Sequence, residues 1–257
     1  MHPLIKAGRN IFAIALIADA VLQIIIGNFI ICRPPGFDTT APGGSTWAYI
    51  SAAILIITGI AIIIQKQARP ALLISGAMII LYAVVPYLPG TITDAFKGNF
   101  RPNEFKCLAF GGGAFILAAS FPKPGANNVL RFITNSCLII TGRILLAAFF
   151  IICGVLHFQF DKFVAELIPA FIPAHMFWTY FAAVTLIAGG VGLLINKTVA
   201  LASLLSGIMV LGWFVLFHLP RALFTPKGNP EWMGVFESLA FSGIFFALAG
   251  MMREKKK

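Results

Sequence analysis

Residues 47–64 read WAYISAAILIITGIAIII and contain no charged side chain. As a helix, this stretch would rise about 27 Å at 1.5 Å per residue, which nearly crosses the ~30 Å hydrocarbon core of a bilayer. A single strand cannot satisfy its backbone hydrogen bonds in lipid, whereas a helix satisfies them internally. The stretch therefore predicts a transmembrane helix.

Seven further apolar segments of similar length follow or precede this one. We therefore predict an all-α integral membrane protein with eight transmembrane helices. The segments run over Ile11–Ile31, Trp47–Ile64, Ala71–Leu88, Phe105–Phe121, Ile144–Phe160, Met176–Ile195, Thr198–Leu219 and Trp232–Met252.

The composition excludes a soluble protein. Hydrophobic residues make up 59% of the 257 residues and charged residues 11%, against about 45–50% and about 25% in soluble domains. The net charge of +10 comes from Lys and Arg in the short gaps between apolar segments. Because nucleic-acid binders collect these residues on one solvated face, we expect the lipid bilayer as a partner and no nucleic acid.

The distribution of basic residues predicts the orientation. Eight spans place both termini on one side of the membrane, where twelve Lys and Arg residues would lie, and leave seven on the other side. Cytoplasmic segments carry the excess of Lys and Arg. Both termini are therefore predicted to be cytoplasmic.

A stretch similar to residues 47–64 occurs later in the chain, as WTYFAAVTLIAGGVGLLI at residues 178–195. Residues 47–89 align without gaps on residues 178–220, and 16 of 43 positions are identical, including Trp, Tyr, Gly, Lys and Pro residues. An even number of spans per half makes the repeats parallel. We predict one four-helix bundle in residues 1–122, a connector in 123–142 with an interfacial helix at 129–140, and a second four-helix bundle in 143–257.

Glycines inside the spans mark places where helices can approach closely, since small residues form helix contacts in membranes. The candidates are Gly111–Gly113, Gly189 with Gly190 and Gly192, and Gly243. The run Gly111–Gly113 has a second interpretation, a local bend in the helix.

Asp19 and Gln23 lie four residues apart in the first span, so they share one helical face. The aligned positions in the second half are Cys153 and His157. Charged groups at bilayer depth normally face the protein interior and indicate function. These residues are candidates for proton handling or ligand binding, and the alternative is that they form interhelical hydrogen bonds.

Three histidines, His157, His175 and His218, fall at span ends on the side opposite the termini, where they could line an outward-facing polar pocket. The alternative is that they interact with lipid headgroups or water. Glu237 aligns with Lys106, and a salt bridge between the repeats is preferred over a catalytic acid. The four Cys residues show no C-x-x-C or zinc spacing, so no metal site is predicted and no catalytic residue is assigned.

Three motifs in the second half occur in a familiar order: GVLHF at 154–158, IPAFIP at 168–173 and GGVGLL at 189–194. This order resembles the DoxX-like family of small four-helix bacterial membrane proteins, which occur singly or fused. The family name comes from a quinone-linked thiosulfate oxidoreductase. The resemblance implies four-helix units in a bacterial inner membrane. Where the family often carries Glu before the glycine pair, this chain has Leu186.

The favoured hypothesis is a redox-linked membrane protein that holds a quinone near Asp19, Gln23, His157 and His218. The chain has no motif for a covalently bound cofactor or for an electron carrier of its own, so it would need a redox partner protein. The alternative is a non-enzymatic lipid-binding, client-binding or assembly protein, followed by a small transporter. The sequence leaves open whether the protein is an enzyme.

Overall fold

The computed structural model describes residues 1–30, 44–95, 102–122, 133–224 and 229–254, and these residues form helices without any strand. A π-helical turn, Phe214–His218, joins the helices Val199–Trp213 and Leu219–Phe224 in one continuous helical rod. The helices are α1 (Pro3–Ile26), α2 (Gly44–Ile64), α3 (Ala68–Ala95), α4 (Pro102–Ala119), α5 (Asn135–Gln159), α6 (Asp161–Glu166), α7 (His175–Leu194), α8 (Val199–Trp213), α9 (Leu219–Phe224) and α10 (Asn229–Glu254).

The ends of α1 follow from local chemistry rather than from hydropathy. The ring Nδ1 of His2 accepts a hydrogen bond from the Leu4 amide at 3.2 Å, and Pro3 occupies the first turn. Gly27, with φ of 69°, ends the helix in the left-handed conformation that glycine adopts readily. The helix therefore begins eight residues before the predicted span Ile11–Ile31 and ends five residues before its end.

Among the described residues, six helices are long and apolar enough to cross a membrane, so the structure supports six of the eight predicted spans by this measure. They are Pro3–Ile26, Gly44–Ile64, Asn135–Gln159, His175–Leu194, Val199–Phe224 and Glu231–Glu254.

The two remaining predicted spans correspond to α3 and α4. The described apolar part of α3 is the shorter stretch Ala68–Val84. Helix α4 carries Asn103, Glu104 and Lys106 in its first turns, which lowers its mean hydropathy. Most of α4 is buried against other helices, so it needs less apolar surface than a helix that faces lipid.

Of the predicted interfacial helix at 129–140, residues 129–132 lie outside the described residues, and residues 135–140 belong to a longer span. Residues 135–140 form the first turns of α5, which begins nine residues before the predicted Ile144. Thr134 caps this end, because its side chain accepts a hydrogen bond from the Cys137 amide at 3.1 Å. Because these turns contain polar residues, a prediction from hydropathy places the start of the helix too late in the chain.

The long helices pack side by side in a closed order, and α4 and α10 are the two central helices. Within the first half, α1 packs on α2, α2 on α3, and α3 on α4; within the second, α5 packs on α7, α7 on α8, and α8 on α10. The first helix of each half packs most extensively on the last helix of the other, α1 on α10 and α5 on α4. Helices α4 and α10 also contact each other.

The three consecutive glycines of α4 face three different neighbours. A Cβ on Gly111 would lie 2.7 Å from the Gly76 carbonyl of α3, and one on Gly113 would lie 2.2 Å from Ile244 of α10. A Cβ on Gly112 would lie 3.0 Å from Leu145 of α5. Because successive residues are turned by about 100° around a helix, the run packs α4 on three sides. Its prediction as a packing surface is confirmed, and α4 is continuous through it.

Aligned glycines make matching contacts in the two halves. Gly8 of α1 approaches Gly243 of α10, and the aligned Gly142 of α5 approaches Gly112 of α4. Gly59 of α2 packs on α1, and the aligned Gly190 of α7 packs on α5. Aligned glycines therefore occupy equivalent helix contacts in the two halves.

The outer surface is apolar along the length of the helices. Ile57, Ile74, Val184 and Ile208 are each more than half exposed, although they lie well inside their helices. The two termini meet at one end of the bundle, where the amino group of Met1 lies 3.5 Å from Glu254. An apolar belt around a bundle of long helices is the surface of a multi-pass membrane protein.

Candidate functional site

A cavity of about 380 Å³ opens between α4 and the helices of the second half of the chain, at the end of the bundle opposite the termini. It lies among the first turns of α4 and α10, the last turns of α5, and the π-helical turn. Its lining residues are Asn103, Lys106, Phe149, Phe150, Cys153, His157, Leu186, Val210, Trp213, His218, Met233, Gly234, Glu237, Ser238 and Phe241. The cavity brings together three of the predicted site residues, His157, His218 and Glu237.

His157 is held in a defined orientation by its own helix. Its ring Nδ1 lies 2.7 Å from the carbonyl oxygen of Cys153. A carbonyl oxygen only accepts hydrogen bonds, so Nδ1 must carry the hydrogen. In the neutral ring the other nitrogen, Nε2, is then the acceptor and proton-accepting site.

His218 reaches the cavity because of two backbone features. It ends the π-helical turn, a local widening of the helix that is frequent at functional sites. Gly234 of α10 leaves room for its ring, since a Cβ there would lie 2.6 Å from His218 Nδ1. The His218 ring lines the cavity, with its Nδ1 packed next to Gly234.

Glu237 forms the predicted contact with Lys106. The Lys106 ammonium lies 2.6 Å from Glu237 Oε2, and both side chains line the cavity. The pair joins the two central helices, α4 and α10, at positions that align with each other in the two halves. A buried pair of this kind is favourable only when its geometry is good, because both charges lose water.

Asp19 and Gln23 lie outside the cavity lining. Asp19 is completely buried, and neither of its carboxylate oxygens has a hydrogen-bond partner among the described residues. Gln23 is saturated by protein: its amide nitrogen donates to the Ala48 carbonyl at 2.7 Å and to the Ser51 hydroxyl, and its oxygen accepts from the Ile30 amide at 3.2 Å. The structure thus places the aligned pairs in different surroundings.

Several lining residues were not singled out from sequence. Trp213 and Ser238 contribute an indole and a hydroxyl to the cavity wall. Leu186, at the position where the family often carries Glu, also lines the cavity. Trp213 aligns with Tyr82, and these aromatic residues at aligned positions could have marked Trp213 as a candidate site residue. His175 opens α7 and is absent from the lining.

A short helix, α6, is tied to α7 on the same end of the protein. The Tyr180 hydroxyl donates to Asp161 Oδ2 at 2.6 Å, and the Lys162 amide donates to Asp161 Oδ1 at 2.7 Å. The hydrogen bond from Tyr180, followed by that from Lys162, lowers the pKa of the Asp161 carboxyl below its ordinary value.

A second depression, the apolar groove, lies on the outside of α5 and α7. It has almost no polar surface, in contrast to the cavity. Its lining residues are Phe158, Val184, Ile187, Ala188, Val191, Gly192, Ile195 and Thr198. The described residues contain no group of three or more His, Cys, Asp or Glu side chains placed to hold a metal ion.

Residues 138–219 match the DoxX family model. The three motifs that carry the resemblance all lie inside this region, which confirms it. This region is therefore similar to the DoxX family, and the chain is a multi-pass membrane protein. No curated protein and no solved structure matches it.

Proposed function

We propose that this membrane protein binds a quinone headgroup in the cavity and exchanges protons with it in a redox-linked role. The observation that carries the proposal is the convergence of His157, His218 and Glu237 on one mostly apolar cavity. A volume of about 380 Å³ falls within the range of small-molecule sites, about 300–1,000 Å³. Aromatic and aliphatic walls with a few polar groups suit a flat, lipophilic ring.

The orientation of His157 supports a specific proton step. Neutral Nε2 can accept a hydrogen bond from a quinol hydroxyl, and the protonated ring can donate one to a quinone carbonyl. Oxidation of a quinol releases two electrons and two protons; His157 Nε2 would accept one proton, and the second would pass to water in the cavity. The chain has no recognised electron-carrier motif, so a redox partner protein would take the electrons.

The proposal includes the architecture and the orientation. The matched glycine contacts and helix pairs support two parallel four-helix repeats, 1–122 and 143–257. The excess of Lys and Arg on the side of the termini supports cytoplasmic termini in a bacterial inner membrane. With that orientation the cavity faces outward.

Binding of a short-chain quinone to the purified protein tests the proposal, with tryptophan fluorescence as the signal. Trp213 lines the cavity, so a bound quinone should quench it, and Trp213→Phe should remove most of the saturable quenching. His157→Phe and His218→Phe keep an aromatic ring but remove a hydrogen-bonding nitrogen. A net hydrogen bond of about 0.5–1.5 kcal/mol makes each weaken binding by about two- to twelvefold.

His175→Phe is the matched control, since His175 lies outside the cavity lining, and it should leave the affinity unchanged. Quenching that does not saturate, or that is identical in all four variants, would show that the quinone only partitions into the surrounding lipid. A co-purified phospholipid in place of a quinone would favour the alternative role in lipid binding.

A further inference from the structure

The close contacts between α7 and α8 lie near the connection that joins these two helices. A Cβ on Gly189 would lie 2.9 Å from the hydroxyl oxygen of Ser206, and one on Gly192 would lie 2.7 Å from the Cβ of Ala202. Further along, the π-helical turn packs on α8, α9 and α10, whereas α7 packs on α5, α6 and α8, and much more extensively on α5 than on α8. The two helical rods therefore part toward the cavity end of the bundle.

The register of these contacts shows which residues face each other where the rods part. The helices run antiparallel, with Gly189 opposite Ser206, so Ala182 lies at the level of Trp213 and Trp178 at the level of the π-helical turn. Seven or eleven residues return a helix to within about 20° of the same face. Ala182 and Trp178 thus share the face of Gly189, and Trp213 shares that of Ser206. We call the opening between Trp178, Ala182 and Trp213 the lateral window.

The side chains at the lateral window lack the burial that close helix packing would give them. Trp178 is 40% exposed, and its described ring contacts are with Phe177 and Phe181 of its own helix. Within the π-helical turn, which the structure describes in full, no residue is buried. Because these residues belong to the apolar outer surface of the bundle, the lateral window faces lipid rather than water.

The lateral window is bounded at both ends and is continuous with the cavity. At the cavity end of the bundle, Arg221 Nη1 on α9 donates to the carbonyl oxygen of Leu167 at 3.1 Å, which ties the rod to the chain that leads into α7. At the other end the glycine contacts close the gap. Between these ties, Leu186 of α7 and Val210 and Trp213 of α8 line the cavity. Trp213 therefore belongs to both the window and the cavity wall.

We propose that the lateral window opens the cavity to the hydrocarbon core of the bilayer and seats the tail of a single-tailed lipid whose headgroup lies in the cavity. Such a ligand enters sideways from the membrane, between α7 and the π-helical turn. The apolar walls of the window suit a hydrocarbon chain, and His157 and His218 offer polar contacts to the headgroup. The window rests on helix packing alone, whereas the identity of the lipid as a long-tailed quinone rests on the proposed function.

Quenching of tryptophan fluorescence by phospholipids with brominated acyl chains tests the window without any quinone. Bromine quenches a tryptophan that the acyl chain contacts. Replacing Trp47, Trp178 and Trp232 with Phe in the full chain leaves Trp213 as the only tryptophan. In nanodiscs of brominated lipid, Trp213 should be quenched although it lines an internal cavity. An unquenched Trp213 would overturn the proposal.

Ala182→Phe tests whether the acyl chains reach Trp213 through the window. A phenylalanine at the level of Trp213 would fill the opening, so this variant should lose most of the quenching. Val184→Phe is the matched control, because Val184 is 57% exposed and lies two residues along α7, on the other side of the helix. Equal quenching in the two variants would overturn the window. If the three tryptophan replacements together prevent folding, the difference between wild type and Trp213→Phe measures the same contact.

Two quinones that differ only in their tail test the ligand. Saturable quenching of Trp213 measures their affinities. Ala182→Phe should weaken binding of a quinone with a decyl tail by about fivefold or more, because the added ring overpacks the seat of the tail. The same variant should leave the affinity for the tail-less quinone unchanged. Equal affinities of Ala182→Phe and wild type for the tailed quinone would overturn the seating of the tail.

Failure of the window and failure of the proposed function are distinguishable. If neither quinone binds to wild type while brominated lipid still quenches Trp213 through the window, the quinone is contradicted and the window is supported. If both quinones bind but Trp213 is not quenched by lipid, the quinone site is supported and the window is overturned.

Discussion

At the level of single residues, aligned positions in the two halves carry different chemistry. Gln23 and His157 occupy aligned positions, but Gln23 is saturated by Ala48, Ser51 and Ile30. His157 uses one ring nitrogen for its own backbone and lines the cavity. The same helical position therefore contributes to helix packing in the first half of the chain and to the candidate site in the second half.

Gln23→Leu should destabilise the protein and leave quinone binding intact. The change keeps similar volume but leaves the buried Ile30 amide without its partner, which costs about 1–3 kcal/mol. Thermal unfolding in detergent measures the loss, and Gln159→Leu at the exposed end of α5 should have little effect. Unchanged stability with lost quinone binding would instead make Gln23 a ligand residue.

The link between α6 and α7 should weaken in acid. The carboxylate of Asp161 accepts hydrogen bonds, so its pKa in the folded protein lies below the ordinary 3.8. Its contribution is therefore fully present above pH ~4 and is lost as the pH falls through the lower, folded value. Unfolding temperatures of wild type and Asp161→Asn should converge as the pH falls through that range. A constant difference down to the lowest pH would contradict this role.

At the level of elements, helix contacts depend on glycines that allow backbones to approach. Gly243 is the clearest case, because a Cβ there would lie 2.7 Å from the Gly8 carbonyl oxygen and 2.7 Å from the Phe12 amide nitrogen. These are backbone atoms, which cannot turn aside as a flexible side chain can. The contact between α1 and α10 is therefore sensitive to a single methyl group.

Gly243→Ala should destabilise the fold by about 1–3 kcal/mol through overpacking. Gly212→Ala is the matched control, because a Cβ there meets nothing within 4 Å and alanine favours the helix. Thermal unfolding of the two variants against wild type measures the contrast. Equal unfolding temperatures would contradict the close approach of α1 and α10.

The sequence predicted the elements better than their ends or their rotation. Hydropathy located most helices, but α5 begins earlier because Asn135 and Ser136 are polar, and α1 ends at Gly27 because of its cap. His157, His175 and His218 were predicted to lie on one side, and the cavity contains His157 and His218, together with Glu237, but not His175. The sequence did not show that Asp19 lies outside the cavity, because hydropathy does not specify which neighbouring helix a buried helical face will contact.

At the level of the whole molecule, both termini lie at one end and the cavity at the other. Two exposed positions report on these ends: Glu254 beside the amino terminus and Lys162 on α6. The proposed orientation places Lys162 outside the cell and Glu254 inside.

Cysteine labelling in a Cys-free background tests this orientation. A membrane-impermeant thiol reagent should modify Lys162→Cys in intact cells and Glu254→Cys only after the membrane is opened. The reverse pattern would place the termini outside and the cavity toward the cytoplasm.

The most direct test of the quinone site is photolabelling with a light-activated quinone analogue, followed by peptide mass spectrometry. Adducts should fall on the cavity wall, on peptides that contain Cys153–His157 or Met233–Phe241, and an excess of unlabelled quinone should suppress them. Adducts confined to the apolar groove, at Val184, Val191 or Thr198, or adducts that resist competition, would contradict a quinone site in the cavity.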